Sequence, residues 1–521
     1  MMLRSEIVKA LAQIVEPKRI LVSLEDIYVY SFEKILENRR GSNFDVVVKT
    51  TSKDEISQIE RLANTEGFTV VQRGRNVDFY ETGKTTNKVV LLDTAPPPDI
   101  ADFDERFSGR AAEIKEAKHR LMNVLRSRGR PYKSYASVIE TLLSEKAIFQ
   151  CENCEVCTGY CTVSPHFDHI ETWSAKGRYL LTRGVVRGEV KPSRRLADIL
   201  YSCTLCGSCY IQCIPTPHIH EAILEIRGKI AEAGLAPESA QAAFKNIREY
   251  GNPLGSSVRQ RSHWMKMLRA DLLSEKADTL YWVGCNTALR SGIRNTAAAT
   301  VRVLNEAGVR VMTFGEKEGC CGVPMIFGGL FQDAEQNAQR VSEAIDDANV
   351  ETLVTSCSGC YETFVNFYPN KLGVELPCEV LHTSQLVERL LREGRLSRHR
   401  LKMRVSYHDP CGLGRHCNVY DPPRNVLKSI PDLQLVEPFM SRERSRCCGG
   451  GGGFWGVNSK ASMSLAHLRL TEDFASLNVN VLTTACPLCY TNFLYTSTRH
   501  ALGIRIYDIM EILDMALKEK D

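Results

Sequence analysis

Cysteine spacing constrains this chain more than any other feature of its 521 residues. Of 20 cysteines, 18 fall into four ordered groups. The first is Cys151-x2-Cys154-x2-Cys157-x3-Cys161. The second is Cys203-x2-Cys206-x2-Cys209-x3-Cys213, followed by Ile214 and Pro215. This is the spacing by which paired loops hold two cubane four-iron clusters. Three thiolates on one tight loop reach three irons of one cube. The fourth iron faces away and takes its thiolate from the distant run. The pattern therefore assigns Cys151, Cys154, Cys157 and Cys213 to one cube, and Cys203, Cys206, Cys209 and Cys161 to the other.

Zinc and disulfides are the competing uses of so many thiols. Structural zinc takes cysteine pairs separated by a loop of a dozen or more residues, which these compact runs do not resemble. A disulfide framework belongs to small secreted domains, and the start of the chain carries no expected signal peptide. Thr162 follows Cys161 where proline is commoner, a change in the loop and not in the ligands.

Between the runs, Leu180, Leu181, Val185 and Val186, then Leu196, Ile199 and Leu200, recur with helical period. After the second run, Ile223, Leu224, Ile226 and Ile230 predict a helix that stops near Gly234. An α-helical ferredoxin domain is expected over 148–235. It resembles the iron–sulfur subunits of succinate dehydrogenase and heterodisulfide reductase.

The second half is an internal duplication. One copy reads Cys285-x34-Cys320-Cys321-Gly322-x34-Cys357-x2-Cys360. The other reads Cys411-x35-Cys447-Cys448-Gly449-x36-Cys486-x2-Cys489. Both close alike, Cys360-Tyr361-x2-Phe364 against Cys489-Tyr490-x2-Phe493. Apolar strand-like runs lead into the cysteines at Leu280–Val283, Leu353–Val354, Val405–Tyr407 and Val479–Leu482. Helical stretches such as 333–347 and 459–476 lie between. Strands alternating with helices predict α/β units with a mainly parallel sheet and the cysteines at the carboxyl ends of strands.

This spacing resembles the CCG domain of the catalytic subunits of heterodisulfide reductase and of the iron–sulfur subunit of glycolate oxidase. The resemblance covers about 148–515. It implies one or two noncubane four-iron clusters, since Cys285, Cys320, Cys321, Cys357 and Cys360 form one complete ligand set and Cys411, Cys447, Cys448, Cys486 and Cys489 a second, and both could carry such a cluster. It also implies that such clusters, rather than any one side chain, meet a disulfide substrate.

Gly449 to Gly453 follow Cys448. No Gly-Lys-Ser/Thr accompanies them, so a phosphate cradle is disfavoured. Close approach of backbone amides to sulfur is the better reading. His408, Asp409 and His416 flank Cys411. One could donate a proton, although packing or turn formation is the plainer role for a histidine here. Cys378 and Cys417 stand outside the motifs and receive no ligand role.

Residues Glu25 to Thr94 read as a separate α/β segment. Strands are predicted at Val46–Val48, Thr69–Val71 and Val89–Leu92, with a helix near 53–66 entered through Thr51-Ser52. With Tyr30-Ser31 upstream and Gln72-Arg73-Gly74 after the second strand, this resembles the opening of an FAD-linked oxidase domain. Arg75-Asn76-Val77-Asp78 stands where that family has its pyrophosphate-holding glycine loop. The expectation is a truncated domain with no FAD site of its own, and FAD on a partner.

The sequence thus divides into an FAD-linked-oxidase-like α/β domain (1–100), a helical linker (101–147), the helical ferredoxin domain (148–235), a second helical linker (236–277) and two tandem CCG domains (278–390 and 400–515). The fold class is multidomain α/β. Hydrophobic content of 43% is ordinary, and no apolar run reaches the roughly 18 residues of a membrane span. The net charge of +4 counts thiols as neutral, so it makes no case for nucleic acid. A reducing cytoplasm is expected, with membrane attachment through a partner allowed. Three functions compete. The first is an oxidoreductase like the D subunit of heterodisulfide reductase, working with a haem membrane subunit. The second is the iron–sulfur subunit of a D-lactate or glycolate-type dehydrogenase working with a flavin oxidase. The third is a metal-binding scaffold without turnover.

Overall fold

The computed structural model describes residues 3–31, 45–73, 89–94, 156–213 and 219–518. Cys151, Cys154, Ile214 and Pro215 lie outside the described residues. So do the segment holding Arg75-Asn76-Val77-Asp78 and the linker 101–147.

Three four-stranded sheets organise the described residues. The first contains β1 (Ile20–Leu21), β2 (Val46–Lys49), β3 (Thr69–Arg73) and β4 (Val89–Asp93) in the order β1-β2-β4-β3. β1 is antiparallel to β2, and the other pairs are parallel. Its strands are apolar at successive positions because both faces are covered. Val46, Val48, Val90 and Leu92 face Ile7 and Leu11 of the helix Arg4–Leu11 and Ile59 of the helix Lys53–Glu66. Val47, Val89 and Leu91 join the core formed with the helical segment further along the chain. The helix Lys53–Glu66 begins where expected. Ser52 caps it by accepting from the Glu55 amide at 3.2 Å, and Gly67 ends it at φ 74°.

The helical segment carries Ala175–Val186, Arg194–Tyr201 and Ile219–Glu232. Gly234 at φ 70° follows the last helix, as its apolar period predicts. The first sheet docks here through polar contacts. Tyr30 Oη donates to Asp93 (3.0 Å) and accepts from the Glu171 amide (3.1 Å), and Arg195 pairs with Asp26 (3.2 Å).

The two later sheets share one topology. β5 (Thr279–Trp282), β6 (Val311–Met312), β7 (Thr352–Thr355) and β8 (Glu379–His382) run in the order β6-β5-β7-β8. β9 (Met403–His408), β10 (Leu433–Leu435), β11 (Val481–Thr484) and β12 (Arg505–Asp508) run in the order β10-β9-β11-β12. Every pair is parallel. The repeat seen in the cysteines is therefore a repeat of fold.

Two helical stretches contain π-helical turns. The stretch 459–476 is an α-helix only over Ser459–Leu468, then a π-helical turn over Arg469–Phe474. The segment Thr363–Leu372 after Cys360 is also π-helical and includes Pro369. Such turns add a residue per turn and commonly mark functional sites. Here the first one turns the fully buried Arg469 toward β9, where it bonds His408.

Candidate functional site: converging thiols at the sheet ends

Each repeat delivers its cysteines from strand ends. Cys285 follows β5, Cys357 follows β7, Cys411 follows β9 and Cys486 follows β11. The Cys-Cys-Gly turns arrive from the side. Gly322 and Gly449 take φ 91° and 85° there, a conformation that favours glycine. All eighteen described cysteines are free thiols.

The thiols of the two sets form one continuous row. In the first set, Cys285 interacts with Cys320, Cys320 with Cys321, Cys321 with Cys360, and Cys360 with Cys357, thiol to thiol. In the second, Cys411 interacts with Cys447, Cys447 with Cys448, Cys448 meets Cys489 at 3.1 Å, and Cys489 interacts with Cys486. The rows join where the thiols of Cys357 and Cys486 interact. Outward from that junction, the two halves repeat each other.

Cys206 of the second run also bonds Cys447. Two further contacts fix this seam. The Cys447 amide donates to Thr162 Oγ1 at 3.3 Å, and Arg415 Nε donates to the Cys206 carbonyl at 2.6 Å. Thr162, where proline is commoner, thus supplies a hydroxyl between the runs and the second set. The glycine run presses against the same loop. A Cβ on Gly452 would lie 2.4 Å from the Thr204 carbonyl. The Gly449 and Gly450 amides donate to Cys447 Sγ (3.3 Å) and Cys448 Sγ (3.4 Å). The amide role read from the glycines is what the geometry provides.

The donor set fits a metal cluster. A neighbouring thiol's hydrogen bond, followed by burial, pushes Cys285 and Cys411 well up from the usual thiol range. Ten thiols without disulfides, nine of them buried and Cys411 half-buried, ionise together only beside a strong positive charge, which bound metal would supply. Arginines stand ready to balance the remainder. Arg261 Nη2 lies 3.0 Å from Cys285 Sγ and its Nη1 pairs with buried Glu318 at 2.9 Å. Arg178 donates to Cys161 Sγ at 3.7 Å. Arg227 donates to the Cys203, Phe327 and Gly452 carbonyls, tying the helical segment to both repeats. None of these arginines sits in a cysteine motif. Arg415, four residues past Cys411, is the one that position could have flagged.

The residues flanking Cys411 part ways. Asp409 is held by both Arg424 guanidinium nitrogens at 2.6 and 2.9 Å, a structural pair. Burial disfavours charge on His416, but the bonded Glu362 carboxylate raises it above the ordinary histidine value. Burial, then the Arg469 charge, pulls His408 down to about 3, so it is neutral and not poised as an acid. A ring nitrogen of His408 and the Cys448 and Cys489 sulfurs lie within 4.8 Å of one another. Cys378 and Cys417 take no part in the row. Asn366 Nδ2 donates to Cys417 Sγ at 3.4 Å.

Residues 279–364 and 405–494 match the CCG cysteine-rich domain. The chain is similar to the D subunit of the dihydromethanophenazine:CoB–CoM heterodisulfide reductase of Methanosarcina barkeri, 34% identical over 342 residues, covering 63% of this chain and 81% of the relative. It is also similar to the probable iron–sulfur-binding oxidoreductase FadF of Bacillus subtilis (31%; 62% and 47%). A third relative is the EtfAB:quinone oxidoreductase of Syntrophomonas wolfei (28%; 62% and 47%). No helix among the described residues is long and apolar enough to cross a membrane.

Proposed function

The chain belongs to the family of CCG-domain iron–sulfur oxidoreductases that includes the D subunit of heterodisulfide reductase, and from this we propose that it passes electrons singly through two cubane clusters to noncubane clusters in its two five-cysteine sets, for disulfide and thiol chemistry. The cube ligands would be Cys151, Cys154, Cys157 and Cys213, and Cys203, Cys206, Cys209 and Cys161. The noncubane ligands would be the ten cysteines of the row.

One observation carries this reading. The two sets meet at Cys357 and Cys486, so a single disulfide placed there would lie beside both. The contact of Cys206 with Cys447 supports an order in which the cubes feed the second set before the first. The chain's own residues support the chemistry in definite ways. Arg178 and Arg261 donate to Cys161 and Cys285, and the Gly449 and Gly450 amides donate to Cys447 and Cys448. Sulfur receiving such bonds carries added negative charge at lower cost. Nine of the ten cysteines of the row are buried, which limits water at their sulfur. A redox partner subunit would supply or take the electrons.

A second reading keeps the clusters and changes the substrate. Two of the relatives are named as oxidoreductases with no disulfide in the name, FadF and the EtfAB:quinone oxidoreductase, and in this reading electrons would arrive from a flavin partner. The N-terminal sheet, resembling the opening of a flavin domain, would then serve as a docking element.

The test is EPR of the oxidised, anaerobically reconstituted protein mixed with thiols. A new paramagnetic signal on thiol addition supports disulfide chemistry. No signal with any thiol, together with reduction by a flavoprotein, selects the second reading.

A further inference from the structure

The two repeats differ at the residue three positions before the first cysteine of each set. Trp282 stands before Cys285, and His408 before Cys411. Both end the first strand of their repeat, β5 and β9, and both are about 1% exposed. Their surroundings match. Trp282 packs edge-on against Phe364 with ring centroids 5.2 Å apart, and His408 packs edge-on against Phe493 at 4.8 Å. Phe364 and Phe493 are themselves equivalent, each four residues past the last cysteine of its set.

One ring nitrogen on each side chain is buried without a hydrogen-bond partner among the described residues, Nε1 of Trp282 and Nε2 of His408. A buried polar nitrogen left unpaired is costly, so two at matched positions call for a shared explanation. Indole has an N–H donor, no acceptor and no titration near neutral pH. Whatever the pair does in common is therefore N–H donation. The histidine is fixed in the same role. Arg469 Nε donates to His408 Nδ1 at 3.4 Å. Guanidinium only donates, so Nδ1 holds the lone pair and Nε2 holds the hydrogen. In that tautomer Nε2 has no lone pair for a metal.

We propose that Trp282 and His408 are paired N–H donors, one per repeat, each aimed at sulfur of the cluster held by its own five-cysteine set. For His408 the target lies beside Cys448 and Cys489. For Trp282 the equivalent cysteines of its own set are Cys321 and Cys360. The bond stabilises the more negative, reduced state of its cluster. These are positioning residues, and they make each set addressable by one substitution. The inference rests on the cluster reading above.

The experiment uses the full chain, reconstituted anaerobically as wild type, His408→Phe, His408→Gln and Trp282→Phe. Iron and acid-labile sulfide are measured, and the EPR signals are titrated against potential. His408→Phe should keep its iron and move the midpoint of one noncubane signal downward. His408→Gln, which restores an N–H donor, should return that midpoint toward wild type. Trp282→Phe should lower the midpoint of the other signal and leave the first in place. Unmoved midpoints in both phenylalanine variants would overturn the proposal. Iron lost alike from His408→Phe and His408→Gln would also overturn it, in favour of ligation. Failure of the cluster reading looks different, since wild type would then show cubane signals alone.

Discussion

The seam between the second ferredoxin-spaced run and the second cysteine set depends on Gly452. Its φ is 63°, and a Cβ would meet the Thr204 carbonyl carbon and oxygen at 2.4 Å. Thr204 sits between Cys203 and Cys206, so no flexible side chain can move aside. Gly452→Ala carries two costs. The left-handed backbone costs an L-residue about 1–2 kcal/mol. Forcing a packed backbone apart costs about 1–3 kcal/mol more. The sum is about 2–5 kcal/mol. Gly503 is the matched control, with φ 70° and no atom within 4 Å of the place a Cβ would take. Gly503→Ala carries the backbone cost alone, about 1–2 kcal/mol. Denaturant unfolding of the reconstituted full chain should rank the variants in that order. Amide hydrogen exchange should rise at 203–206 in Gly452→Ala and not in Gly503→Ala. Equal losses in the two variants, or unchanged exchange at 203–206, would refute the close approach.

Three further outcomes follow from buried charge and docking. Arg261→Met leaves Glu318 buried without its partner and should cost about 3–5 kcal/mol; adding Glu318→Gln should recover part of it, read as a coupling energy in thermal unfolding. Burial pulls His382 down to about 4 from its ordinary 6.5. The unfolded chain therefore binds its proton first. Stability from this group is whole above pH 6.5 and falls by about 1.4 kcal/mol per unit toward pH 4. His382→Gln should flatten that slope in acid unfolding. Tyr30→Phe removes the hydroxyl joining Asp93 and the Glu171 amide and should cost about 1–3 kcal/mol. Limited proteolysis should then release the N-terminal sheet sooner.

Much of the fold is legible from local rules. The helix over 53–66, the three parallel strands of the N-terminal segment and the strands leading into each set lie where period and capping place them. The duplication shows in spacing alone and reappears as two sheets of one topology. The helix Arg4–Leu11, strand β1 and the helix Leu24–Tyr30 do not stand out in the sequence. Their apolar residues are short runs that gain meaning only against the sheet they cover. The π turns at 363–372 and 469–474 follow from tertiary packing, which periodicity does not carry. Of the site, the motifs supply the cysteines but not their neighbours. Nothing in the motifs places Cys357 against Cys486 or Cys206 against Cys447. Arg178, Arg227 and Arg261 approach from other elements, so their distance along the chain hides them. His408 stands out for its nearness to Cys411, while its likeness to Trp282 emerges only when the strands are superposed by topology.

Every functional step proposed above requires iron bound by these thiols. The most direct test is the iron and acid-labile sulfide content of the full chain, purified and reconstituted without oxygen, alongside its visible spectrum. Three or four four-iron clusters predict about 12–16 irons per chain, matched by sulfide, with broad absorption that bleaches on reduction. Zinc in place of iron, or little sulfide and no bleachable absorption, would contradict it.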